Sequence, residues 1–173
     1  MRNCFIAAAV LLGVAIAAVP SCADTWRSSP HVRPLGPTAA AFLADAGRRA
    51  AVVRDLVARL ADTDVVVYVE DSQGGCGRGV RACLTFLVSA ATVRYLLVRI
   101  DRWQVAPWDR IGWLAHELQH AIEIAHAPEV RDEATLTRFY NRVGWRSGPG
   151  RFETNLARSV GDLAIRQLAG SRH

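Results

Sequence analysis

Leu114-Ala115-His116-Glu117-Leu118-Gln119-His120-Ala121-Ile122-Glu123-Ile124 is the stretch on which the reading of the whole chain turns. Ile111, Leu114, Leu118, Ile122 and Ala125 recur at a period of about 3.6, which predicts an amphipathic helix. Pro107 suits a first helical position and Pro128 prevents the helix from continuing, so it is expected from Pro107 to about Ala125. Its apolar stripe should pack on a sheet. His116, His120 and Glu123 project from roughly the opposite side, and two imidazoles one turn apart can bind one ion together. A catalytic zinc takes neutral imidazole nitrogens at about 2.0–2.1 Å and keeps a position open for water. Glu117 follows the first histidine and would lie beside that position, able to act as general base and then to hand the proton to a leaving amine.

Upstream, Phe42, Ala46, Val53, Val57 and Leu60 recur at helical spacing, which predicts one helix from Thr38 to about Ala61. Asp64 to Glu70, Cys83 to Ser89 and Thr92 to Asp101 are rich in Val, Tyr, Phe and Thr and read as three strands. The Ser89-Ala90-Ala91 link is short enough for a hairpin. Downstream, a helix is expected from about Asp132 to Val143. Ser147-Gly148-Pro149-Gly150 then breaks the chain, and a last helix runs from about Phe152 to Ala169. Helices grouped after a small three-stranded sheet give an α+β fold.

At 173 residues the chain fits one domain with its own core. Arg2 followed by the uncharged apolar run Cys4 to Val19 reads as a secretory signal occupying residues 1–23, which predicts an exported protein. Ser21 and Ala23 fit ordinary processing, while Cys22 offers the alternative of a lipoprotein, the one route by which membrane anchoring is expected. Residues 24–37, rich in Pro and Ser, read as an irregular arm, leaving 38–173 as the folded domain. Processing leaves Cys76 and Cys83, which in an oxidising compartment suggest a disulfide closing the glycine-rich turn 74–79; two separate thiols are the alternative. All 21 basic residues are Arg, which excludes Schiff-base and lysine-nucleophile chemistry. The net charge of +5 is spread over helices without interleaved aromatics, so no nucleic-acid partner is expected.

His116-Glu117-Leu118-Gln119-His120 resembles the HExxH signature of the zincin metallopeptidases, and the order of helix, small sheet, signature helix and C-terminal helices is similar to their minimal, gluzincin-like members. The longer stretch also resembles a group of exported bacterial proteins in which a later Phe-Glu-Thr corresponds to Phe152-Glu153-Thr154. The resemblance implies a zinc-dependent peptidase, here expected as a monomer acting on a peptide or protein, with His116, His120 and a third ligand holding Zn2+. Gluzincins take that ligand from a Glu on a following helix, which points to Glu153. The family's Asp four residues later is Ala157 here. His126 has the spacing of a metzincin third histidine, although Glu123 stands where those enzymes turn at a Gly, and Glu133 is a weaker alternative. Glu123 itself lies about 10.5 Å along the helix axis from His116, too far to share the ion, and either orients His120 or is a plain polar-face residue. Tyr140 is a candidate donor to a transition-state oxyanion, with a core aromatic as the alternative. The strand from Thr92 to Asp101 precedes the signature helix as the substrate-aligning edge strand does in zincins.

Overall fold

Alternate residues of a strand point to opposite faces, so Val65, Val67 and Val69 can enter one core together while Val66 and Tyr68 face the other way. The structure, a computed structural model, describes residues 29–103, 106–148 and 151–170; the expected signal segment and Cys22 lie outside the described residues. In chain order the elements are β1 (Val32–Pro34), α1 (Gly36–Arg49), α2 (Ala51–Ala61), β2 (Val65–Ser72), β3 (Ala82–Ala90), β4 (Val93–Asp101), α3 (Pro107–Ala125), α4 (Glu133–Val143), β5 (Trp145–Gly148), β6 (Arg151–Glu153) and α5 (Asn155–Gly170). The fold is α+β with a mixed sheet of order β1-β2-β4-β3, in which β1, β2 and β4 are parallel and β3 is antiparallel to β4.

Four expectations need correction. The arm holds a strand: β1 pairs with β2, and Pro34, which has no N–H to donate, is tolerated because β1 lies at the sheet edge. The single helix expected over 38–61 is two, because Ala50 is extended at φ −125° and ψ 111°. That break lets both pieces turn Phe42, Leu43, Val53, Leu56 and Leu60 inward, and Arg54 donates to the Gly47 carbonyl at the end of α1. The strand Val93–Asp101 is interior, lying between β2 and β3, so the free edge beside the signature helix belongs to β3. Finally, the first two residues of the expected break, Ser147 and Gly148, belong to β5, which pairs with β6, and α5 begins at Asn155, which puts Glu153 on a strand instead of a helix.

The core lies between one sheet face and the helices. Val65, Val67, Val69, Leu96, Val98 and Ile100 meet Leu56, Leu60, Ile111, Leu114, Leu118 and Ile122 there. The expected stripe of α3 is thus buried, but α3 is covered on its other side as well, by α5. That contact is close because both helices carry glycine. A Cβ at Gly161 would stand 3.1 Å from the Gly112 carbonyl oxygen and 3.4 Å from His116 Cβ, and Ala157 and Ala164 on the same helix are also buried. Arg94, fully buried on the core face of β4, anchors the far end of α3. Its guanidinium donates to the carbonyls of Ile124 (2.6 Å), Ala127 (2.8 Å) and Ala125 (3.1 Å), and pairs with Asp64. These carbonyls belong to the last residues of α3 and the turn that follows it, so the helix that carries both histidines is fixed at its end as well as along its length.

Candidate metal centre

The i, i+4 spacing on α3 stacks the rings of His116 and His120 one turn apart, with centroids 4.8 Å from each other. Both rings are buried, and the hairpin strand β6 brings Glu153 to them from outside the helix. One carboxylate oxygen, Oε1, stands 3.1 Å from His116 Nε2 and 3.6 Å from His120 Nε2. Donors at zinc distances in a tetrahedral shell are separated by about 3.3 Å, so the observed spacings are those of a site ready to close on an ion. His116, His120 and Glu153 offer one ligand atom each, all within 4.8 Å of one another, and could hold a metal ion. His120 Nε2 supports this independently: it is buried with no hydrogen-bond partner. Such an orphan costs about 1–3 kcal/mol, a cost that coordination would remove.

Glu123 lies directly behind His120. Its Oε2 is 2.8 Å from His120 Nδ1, and its Oε1 accepts a hydrogen bond of 2.7 Å from Thr154 Oγ1. A carboxylate on Nδ1 sets the ring's orientation and turns Nε2 toward the ligand position. Of the two readings of Glu123 open from sequence, the orienting one matches its contacts. Tyr140 joins the same group: its hydroxyl is 3.1 Å from His120 Nδ1 and 3.3 Å from both Glu123 Oε2 and the His120 carbonyl oxygen. The phenol oxygen is therefore beside Nδ1, away from the ligand nitrogen Nε2, while Tyr140 also contributes to the lining of the cleft. Burial, followed by the nearby carboxylates, pushes its pKa well above 10, so it remains a hydroxyl.

The electrostatics are those of a cation site. Burial disfavours a charged His120, but the hydrogen bond to Glu123 and the close Glu153 carboxylate outweigh it and raise the ring to about 9. Burial likewise pushes Glu153 up, yet the adjacent His116 and His120 hold it at about 2. Burial raises Glu117 above the usual carboxylate range, against the pull of the two histidines. The metal-free site thus favours a protonated His120 among Glu117, Glu123 and Glu153, and a divalent ion there would bring more positive charge than that proton.

A cleft of about 350 Å³ reaches the centre, with Glu117, Glu153 and both histidines in its wall and Trp113 and Phe152 beside them. The Cys76–Cys83 disulfide is formed and holds the loop 74–79 against the start of β3, which forms the opposite rim. In β3 the bond from Asp101 N to Arg81 O marks that pair as hydrogen-bonded. Alternation along an antiparallel ladder then turns the N–H and C=O of Ala82 and Leu84 away from β4, on the edge that borders the cleft.

The other ligand candidates are elsewhere. His126 is exposed at the C-cap of α3, and Glu133 is exposed at the cleft mouth; neither joins the ligand group. Thr154, noted from sequence only within Phe152-Glu153-Thr154 and given no role there, joins the group as well. Besides binding Glu123, its Oγ1 accepts from Ala157 N at 3.1 Å, capping the first turn of α5. A Thr just ahead of a helical period was the available signal. Gly144 completes the setting, since a side chain there would run into the Glu153 carbonyl as α4 gives way to the hairpin. Compared with known proteins, the chain matches no protein-family model, no curated protein and no solved structure.

Proposed function

We propose that this is an exported, zinc-dependent hydrolase of zincin-like design that cleaves peptide bonds, with zinc held by His116, His120 and Glu153. The observation that carries the reading is a three-member ligand group with an acidic residue, Glu117, beside it in the wall of an accessible cleft. Structural zinc sites close with four protein ligands, whereas catalytic ones keep three and leave a position for water. Two imidazoles and a carboxylate are a donor set that suits zinc. When bound, the ion supplies Lewis acidity, polarising a carbonyl and making a water more acidic.

Glu117 is the residue that takes the proton. It stands in the cleft wall beside the ligand group, and the same carboxylate can return the proton to the leaving amine. Glu123 and Tyr140 act behind His120 as positioning residues. The edge of β3, with the backbone groups of Ala82 and Leu84 turned outward, suits a peptide bound in extended form. The disulfide agrees with an oxidising compartment; no described helix is long and apolar enough to cross a membrane.

The test is Glu117→Gln in zinc-supplemented protein, read by zinc content and by mass spectrometry of digests of a mixed peptide library. Zinc should be retained while cleavage falls by about 10²–10⁴-fold. A variant as active as wild type, or a wild type that retains no zinc, overturns the assignment.

A further inference from the structure

We propose that the cleft selects substrates bearing a carboxylate close to the reacting group, received by Arg81 and Arg151 with Arg78 beyond them. This rests on the hydrolase reading and deepens it to a substrate class.

The first observation is a continuation of the cleft. A second cavity of about 400 Å³ shares Val80, Cys83, Leu84, Glu133 and Arg151 with the one at the metal centre, so a single trough follows the outer edge of β3. The second observation is what stands in that trough. Arg151 lines both parts, Arg81 lines the inner part and Arg78 the outer. Arg151 is two residues from Glu153 on the same strand, so both point to the same side. Among the described residues none of these three guanidinium groups has an ion-pair partner, whereas Arg99 in the same wall is held by Glu70 at 2.7 Å. Among the described residues that line the trough outside the metal centre, Glu133 alone supplies negative charge, so Arg78, Arg81 and Arg151 face one carboxylate there.

The third observation is that the backbone carrying one of these charges is constrained. Arg78 sits inside the loop closed by Cys76 and Cys83, where Gly77 and Gly79 take φ of 93° and 74°, a region that side chains rarely enter. The loop is thereby pinned to the strand whose outward backbone groups would pair with a bound peptide. An extended chain along Ala82 and Leu84 passes between Arg81 and Arg151. The planar guanidinium fork matches a carboxylate in shape as well as in charge. That carboxylate can be an acidic side chain or the free C-terminus of the substrate.

Short Ala/Val peptides carrying an uncharged fluorophore distinguish these sources. One has a single Glu and an amidated C-terminus, one has Gln in its place and is amidated, and one has Gln and a free C-terminus. Each is titrated by fluorescence anisotropy against zinc-supplemented Glu117→Gln protein and, for cleavage, incubated with wild type. The Glu peptide or the free-terminus peptide should bind about tenfold more tightly than the amidated Gln peptide. Which of the two gains names the source. The advantage should shrink in high salt and disappear in Arg81→Gln/Arg151→Gln protein. Equal affinities, a preference that survives the double substitution, or no binding of any peptide overturns the proposal. Cleavage of all three peptides at one rate would leave the hydrolase standing and remove the carboxylate site. Selective binding without cleavage would do the reverse.

Discussion

A metal ion bound at His120 would compete with a proton for the ring. In the metal-free protein that ring is raised from 6.5 to about 9, so its pairing with the surrounding carboxylates stabilises the fold fully below 6.5 and is lost as pH rises through about 9. Glu153 is lowered from 4.5 to about 2, so its contribution is present above 4.5 and is lost as pH falls through about 2. Both are complete only between about 4.5 and 6.5, where the metal-free protein gains most from this pair. Zinc uptake runs the other way, because the His120 proton must leave. Zinc affinity should rise about tenfold per pH unit from 6.5 toward 9, with a proton released on binding at neutral pH. Calorimetry in two buffers of different ionisation enthalpy measures that proton directly, and a heat independent of buffer would contradict the assignment. At this scale the sequence was informative: His116, Glu117 and His120 were legible because helical periodicity alone fixes their relative positions. Glu123 stayed divided between two roles, since only the arrival of Thr154 and Tyr140 from other elements decides what it touches.

Glu123 also matters between elements. It belongs to α3, its hydroxyl partners come from Tyr140 on α4 and from Thr154 at the start of α5, and Thr154 comes directly after the ligand Glu153. One carboxylate thus registers the signature helix against the two segments that complete the site. Glu123→Ala should lower zinc affinity by about 10- to 100-fold, measured by competition with a chromophoric chelator. Tyr140→Phe should cost less, because the bond from His120 Nδ1 to Glu123 remains. Unchanged affinity in Glu123→Ala would mean that His120 is oriented by its packing alone. Among the elements, α3 was legible to the residue, owing to Pro107 and an unbroken apolar period. The break at Ala50 was not, because alanine favours helix and the reason to leave it is the shape of the core. The strand at Glu153 was missed for a similar reason: three residues carry no periodicity, and pairing with Trp145 and Arg146 is what makes them a strand.

In the whole molecule, an ion held by His116, His120 and Glu153 would tie a central helix to a short, half-exposed hairpin. Binding to the folded state alone at a thousandfold excess over Kd stabilises by about 4 kcal/mol, which for a domain of this size raises Tm on the order of 10 °C. Chelation with EDTA should remove that increment from wild type in a thermal melt and leave Glu153→Ala almost unmoved. Equal responses of the two proteins would take Glu153 out of the ligand set. By itself the sequence determined the α+β class and the signature helix with its paired histidines and neighbouring Glu117, and it suggested the pairing of the last two cysteines that the structure contains. These come from periodicity within one segment or from counting, and need no knowledge of what packs where. The tertiary structure alone decided that β4 is interior and β3 the edge, that Glu153 reaches the histidines from a hairpin, and that Glu123, Tyr140 and Thr154 form one network. Each of those depends on segments distant in sequence meeting at angstrom precision, and contacts of that kind leave no period in the chain to be read.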